Sequence, residues 1–251
     1  MRVVQDPDEL VALFEADRVT HLYGLADLEE PFWSYSTWYR DGVAAVGLIA
    51  VGDEWVTGYA MSQSDPEVTL DLLTRVQPSL PSGSWVTGPI GMYEVVAQVR
   101  PTRSIGTHWR MILNKPAKAH GTRVAIQLSI DDLEDVLDLH ASDDERSFFL
   151  PIMLENYPFV GIWEDGRLVA SAGTHVASRR HGVAAVGAVL TRPSHRGRGL
   201  GSLAMSALCR TLADEYETVG LNVETTNEAA LRLYDRLGFH RAFQYEEIEV
   251  L

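Results

Sequence analysis

Between Arg192 and Arg210 the chain reads RPSHRGRGLGSLAMSALCR. Gly197, Gly199 and Gly201 alternate with Arg198 and Leu200, Arg196 precedes them, and a segment with helical apolar spacing begins at Ser202. The first amides of a helix have no acceptor within the helix, and the positive end of its dipole lies there, so such an entrance favours anions. Glycine removes the Cβ that would hold an anion off the backbone, and it permits the left-handed angles of a cradling turn. From Arg179 to Arg198 there are five arginines and no acid, in a chain of formal charge −14. That contrast points to a local polyanion site of pyrophosphate size. The competing reading is a glycine-rich helix entrance with solvated arginines. Two familiar phosphate motifs do not fit. A P-loop needs a lysine after its last glycine, and the only lysines here are Lys115 and Lys118. A dinucleotide fingerprint needs Gly-x-Gly-x-x-Gly, whereas here the third glycine comes one residue early and Ser202 stands in its place.

What fits is Arg-x-x-Gly-x-Gly, Arg196 to Gly201, behind Pro193 and a strand, followed downstream by LNVETTNEAALRLYDRLGF over Leu221–Phe239. Together these resemble the GCN5-related N-acetyltransferase (GNAT) superfamily over about Arg123–Leu251. The resemblance implies an acyl-CoA-dependent N-acyltransferase, with acetyl-CoA as co-substrate and a primary amine attacking directly in a ternary complex. It implies that the backbone of Val189, Leu190 and Thr191 meets the pantetheine arm, and that an N–H of this strand polarises the thioester carbonyl. It implies that Arg196, Gly197, Arg198, Gly199, Leu200, Gly201 and Ser202 hold the pyrophosphate. Asn227 falls where the family has a cofactor-touching asparagine, with helix capping as its other role. Tyr234 falls where the family has a tyrosine that protonates the leaving thiolate; otherwise it is a half-buried tyrosine with a wet hydroxyl. The alternative from another class is a non-catalytic acyl-CoA-binding or regulatory module.

The general base is a gap. An amine of pKa near ~10 must lose a proton before it attacks. Some members carry glutamate within a Leu-Glu-Val strand, but here the triplet is Leu221-Asn222-Val223, and asparagine cannot take the proton. Glu224, His175, His181, Glu155 and a water chain all remain candidates. The eight histidines have no ligand-like spacing and the chain has one cysteine, so no metal is expected. From Asp131 to Glu145 there are eight acids and no Lys or Arg. That run is either a solvated helix face or, near Ala141–Glu145, a draw for a cationic acceptor.

These residues need a scaffold, and 251 residues allow two domains. KPAKAHGT, Lys115–Thr122, is the best linker. The expected domains are 1–118, a degenerate GNAT-like half, and 119–251, the catalytic half. The second half reads β-α-α-β-β-β-α-β-α-β. Its elements include a helix behind Ser129, a helix through DERSFFLPIMLEN broken near Pro151, a hairpin around Asp165-Gly166, and a helix over Ser202–Tyr216 with Cys209 buried. The first half reads similarly: a helix near Pro7–Glu15, strands at Val43–Val51 and Trp55–Met61, a helix at Pro66–Val76, a strand at Trp85–Thr87, a helix at Met92–Val99 and a strand HWRMIL. Its DLEEPFWSYSTWYR and HWRMIL look like the N-terminal half of tandem GNAT members. It has no Arg-x-x-Gly-x-Gly, so no cofactor is expected there. FWSYSTWY, Phe32–Tyr39, reads as a packing cluster at the domain junction more than as a substrate wall. The fold class is therefore α/β: two GNAT-like domains, each a mixed, mostly antiparallel sheet flanked by helices. The acidic charge argues against nucleic acid. GVAAVGLIAVG is too short to cross a membrane, and the first twenty residues lack a signal-peptide pattern. A cytoplasmic location is the simplest expectation.

Overall fold

A computed structural model describes residues 1–50, 56–115, 124–142 and 148–251. The elements run β1 (Arg2–Val3), α1 (Asp8–Glu15), α2 (Leu22–Asp27), β2 (Ser36–Asp41), β3 (Ala44–Ala50), β4 (Val56–Tyr59), α3 (Pro66–Val76), β5 (Trp85–Gly88), α4 (Met92–Val96) and β6 (Thr102–Leu113). They continue with β7 (Ile126–Leu128), α5 (Leu133–Ala141), α6 (Pro151–Asn156), β8 (Phe159–Glu164), β9 (Arg167–Ser178), β10 (Val183–Thr191), α7 (Leu200–Glu215), β11 (Thr218–Glu224), α8 (Glu228–Leu237) and β12 (Phe239–Val250). Two compact units result. One is Met1–Arg110 with Val223–Asn227 and Arg241–Leu251; the other is Met111–Asn222 with Glu228–His240. The linker expected around residue 119 lies outside the described residues.

In the first unit the strands order β1-β2-β3-β4-β5-β12-β6. The β4–β5 pair is parallel, while β1–β2, β2–β3, β3–β4 and β5–β12 are antiparallel. Its core joins Leu70, Leu72, Leu73 and Val76 of α3 to Val46, Val86, Ile248 and Val250. Three elements here were not anticipated: β1, α2 and β2. The helix α2 has only six residues, too few for a periodic pattern to register. It packs through Gly24, where a Cβ would lie 3.0 Å from the Tyr59 ring and 3.1 Å from that of Phe14. Of the aromatic run, Phe32 and Trp38 are buried while Tyr35 is exposed. The Trp38 ring meets those of Phe14 and Tyr59 edge-on, each at 5.4 Å. The stretch is thus a packing cluster inside the first unit.

In the second unit the order is β11-β10-β9-β8-β7. The β10–β11 pair is parallel and the others are antiparallel. The β8–β9 hairpin turns on Asp165 and Gly166, both at positive φ (51° and 76°), as a tight two-residue turn requires. Ser129 caps as expected: the Asp131 N–H donates to its Oγ (3.3 Å) and its own N–H donates to Asp132 Oδ2 (2.8 Å). The first turn behind it is a 3-10 turn, Ile130–Asp132, and α5 starts only at Leu133. The helix expected through DERSFFLPIMLEN begins at Pro151, with residues 143–147 outside the described ones. A core of Val136, Leu139, Met153, Leu154, Phe159, Leu168, Ala188 and Leu190 joins α5 and α6 to the sheet. On α7, Leu200, Ala204, Leu208 and Leu212 form one buried stripe at helical spacing, with Met205 and Cys209 beside it.

Candidate active site

The strands β10 and β11 pair over Val183–Val186 with Thr218–Leu221 and then part, although β10 runs on to Thr191. A bulge in β10 accompanies the split. Gly187 pairs with Gly173 and Leu190 with Ser171, so Ala188 and Val189 together span the single residue Ala172 of β9. Ala188 takes φ +48°, and the Ser171 hydroxyl donates to its carbonyl at 3.3 Å. Ala188 and Leu190 are buried in the core, while Gly187, Val189 and Thr191 stay partly exposed. The outcome is a strand end anchored on one side and open along the edge that β11 leaves.

The glycine turn follows at once. Pro193–His195 forms a 3-10 turn, and Gly197 and Gly199 are left-handed, at φ 75° and 76°. A Cβ at either would meet nothing within 4 Å. The constraint on these two is therefore backbone angle, worth about 1–2 kcal/mol for another residue, and their bare face is open space. Gly201 differs: a Cβ there would come 3.0 Å from Thr191 Oγ1, so this glycine lets α7 close onto the end of β10. The first helical bond joins the Leu203 N–H to the Gly199 carbonyl at 3.1 Å. The amides of Leu200, Gly201 and Ser202 therefore stand at the open end of a 16-residue helix. The Arg196 Nε donates to the Thr191 carbonyl at 3.3 Å and ties the turn to the strand.

The arginine-rich field is weaker than its count suggests. Arg192 is buried: its Nε donates to the Leu168 carbonyl at 2.8 Å and its guanidinium pairs with Asp138. Arg192, and after it Arg167, hold the Asp138 carboxyl below the usual carboxylate range. Arg179 pairs with Glu215 at 2.5 Å. Arg198 pairs with Glu164 at 2.8 Å, and the same carboxylate lies 3.7 Å from His195 Nε2. Three of the five arginines are thus balanced by acids distant in sequence. The backbone amides, more than the side chains, make this entrance attractive to an anion.

Tyr234 sits on the buried stripe of α8 with Leu231 and Leu237, its ring 5.9 Å from that of Phe239. Burial, with a smaller push from the Cys209 thiol, raises its hydroxyl to about 12. It is a protonated donor throughout the neutral range. Asn227 just precedes α8, its N–H bonded to the Glu224 carbonyl at 3.0 Å, and the segment 223–227 groups with the first unit.

The base candidates separate on position and energy. His175 is pushed down to about 4, chiefly by burial. Moving a proton to it from an ammonium of pKa near 10 would cost about 8 kcal/mol. His181 lies in the turn between β9 and β10, with its N–H on Ser178 Oγ at 2.9 Å, at the opposite end of β10 from the split. Glu155 is exposed on α6, and Glu224 is exposed on the segment grouped with the first unit. The acidic stretch at Asp143–Glu145 and His120 lie outside the described residues. Among the described residues no cluster of three or more His, Cys, Asp or Glu could hold a metal, and no helix is long and apolar enough to cross a membrane.

The parallel pair thus splits at a bulge, and the glycine turn and α7 follow the freed strand. Residues 127–239 match the Acetyltransferase (GNAT) family, and the second half of the chain carries a domain of that family. A mycothiol acetyltransferase from Tsukamurella paurometabola is 45% identical over 76 residues, which cover 30% of this chain and 26% of that enzyme. The match thus spans about a quarter of that relative's length. Fold similarity runs over both units. A Drosophila protein superposes over 100% of this chain and 98% of its own with a TM-score of 0.73 at 17% identity. A tandem GNAT protein from the clavulanic acid biosynthesis pathway does so over 98% and 97%, with a TM-score of 0.58 at 13% identity.

Proposed function

We propose that the chain is an N-acetyltransferase that moves the acetyl group of acetyl-CoA to a primary amine, with the chemistry in the second unit. The observation that carries this reading is the parting of β10 from β11 after Val186, with the glycine turn at the end of the freed strand. In this reading the pantetheine arm lies along Val189, Leu190 and Thr191 as an added strand. The pyrophosphate sits on the amides from Gly197 to Ser202, with Arg196 and Arg198 at its rim. The Val189 N–H polarises the thioester carbonyl, and charge developing there is met by a fixed dipole. Tyr234 gives its proton to the departing thiolate. No side chain is assigned as base; the proton of the ammonium leaves to water. Much of the rate then comes from holding the two reactants together.

The match to a mycothiol acetyltransferase covers too little of that enzyme to carry its acceptor over. Asn222, where an acid would serve as base, favours a second reading: a module that binds acyl-CoA without turning it over. Incubation with acetyl-CoA and a panel of primary amines, with CoA release followed by thiol assay, separates the two. Amine-dependent release supports the enzyme. Tight CoA binding with no release for any amine supports the module.

A further inference from the structure

His175 is the extra residue of a second bulge: Ala185 pairs with Val176 and Val186 with Thr174, leaving His175 between them without a partner on β10. Its ring occupies the place where a Gly187 side chain would be, since a Cβ on Gly187 would fall 2.1 Å from His175 Nε2. Gly187 is the first residue of β10 beyond its last pair with β11. The imidazole therefore lies at the fork itself. Its Nε2 is 3.2 Å from the Phe148 carbonyl, and the Phe148 ring stands edge-on to it at 5.7 Å and 89°. A carbonyl only accepts, so Nε2 carries the hydrogen and the tautomer is fixed. Phe148 leads into α6, and Phe149 beside it stacks on His140 at 4.9 Å.

The direction of β10 gives this contact a meaning. The glycine turn follows the C-terminal end of the strand. A CoA held there by its pyrophosphate runs its thioester back along the strand toward Val189. The acceptor must then come from the far side of the acyl group. Gly187 lies two residues further on, across the bulge at Ala188. From this we infer that His175 is a positioning residue for the acceptor: by donating to the Phe148 carbonyl from the slot at Gly187, it pins the segment Phe148–Leu150 to the fork as a fixed wall beside the attacking amine. The inference rests on the acetyltransferase reading above. It gives His175 a role other than that of base.

The test compares His175→Phe, which keeps a ring but has no donor, with His175→Gln, which keeps a donor, and with Gly187→Ala, whose methyl displaces the ring from the other side. CoA affinity is read by calorimetry, and acceptor KM, kcat and the pH dependence of kcat/KM by thiol release. For His175→Phe the acceptor KM is expected to rise about tenfold, as the Phe148 carbonyl loses its donor, at unchanged CoA affinity. Gln should return it to within about threefold of wild type. Gly187→Ala should reproduce the rise even if His175→Phe does not fold, and the pH profile should keep its shape. An unchanged acceptor KM in a folded, CoA-binding His175→Phe or Gly187→Ala protein overturns the inference. So does loss of the acid limb of the pH profile in both His175 variants, which would make His175 the proton acceptor. Wild-type protein that binds no CoA would defeat the acetyltransferase reading first, and this inference with it.

Discussion

The two units contain the same local arrangement and dress it in opposite ways. In the first, the parallel pair β4–β5 is bridged by α3; in the second, the parallel pair β10–β11 is bridged by α7. At the entrance of α3 stand Asp65 as cap, Pro66 at the first position and Glu67 behind it. Proline removes an amide and the two carboxylates already complement the helix dipole, so this entrance repels anions. At the entrance of α7 stand Gly199, Leu200, Gly201 and Ser202, with no acid in the first turn. The helices that follow also differ: α4 has 5 residues, while α8 has 10 and carries Tyr234 in its second half. In the proposed reading, strand pairing alone does not make an acyl-CoA site; the two units differ in the residues at the helix entrance and in the length of the next helix.

That comparison can be broken at several points. The largest expected effect is on stability, and it lies in the first unit. Asp27 is 7% exposed, and burial raises its carboxyl to about 8. Because that is above the unfolded value near 3.9, its contribution is fully present below about pH 4 and is lost as pH rises toward 8, at up to about 6 kcal/mol. Asp27→Asn should raise the melting temperature at pH 8 and leave it nearly unchanged at pH 4. Equal effects at both would show that the carboxyl titrates normally. Next comes Tyr234→Phe, which keeps the packed ring and removes the donor. The expected loss is roughly 10²-fold in kcat with little change in the KM for acetyl-CoA. Wild-type turnover would leave Tyr234 a packing residue.

Gly199→Glu gives the second unit the acidic entrance of the first. CoA affinity should fall by more than about tenfold, about 1.4 kcal/mol, in a protein that still melts cooperatively. The smallest effect belongs to Glu164, whose carboxylate holds Arg198 and His195. Glu164→Gln should free them for the pyrophosphate and tighten CoA binding by about two- to fivefold at low salt, as expected of a partly exposed pair. The gain should shrink as ionic strength rises. Weaker binding would mean that Glu164 orients the turn instead of competing with its ligand.

Much of the second unit was legible because its signals are local. The apolar runs of β8 to β10, the turn at Asp165-Gly166, the glycines before α7 and the cap at Ser129 each act within a few residues. What escaped were long-range consequences. The five arginines from 179 to 198 read as one positive field, but Asp138, Glu164 and Glu215 that offset three of them come from α5, β8 and the end of α7. No run of sequence shows such pairings. The His175–Gly187 contact escaped for the same reason: it depends on two bulges, which shift register without leaving a compositional mark. In the first unit, α2 was missed because a helix this short is held by packing on Tyr59 and Phe14 and not by its own pattern.

The central claim is that one of two similar entrances takes an acyl-CoA and the other does not. Calorimetric titration of the whole chain with CoA tests it most directly. The account predicts a stoichiometry of one per chain, with the affinity lowered by more than about tenfold in Gly199→Glu. Two sites per chain, or one that survives Gly199→Glu unchanged, would contradict it.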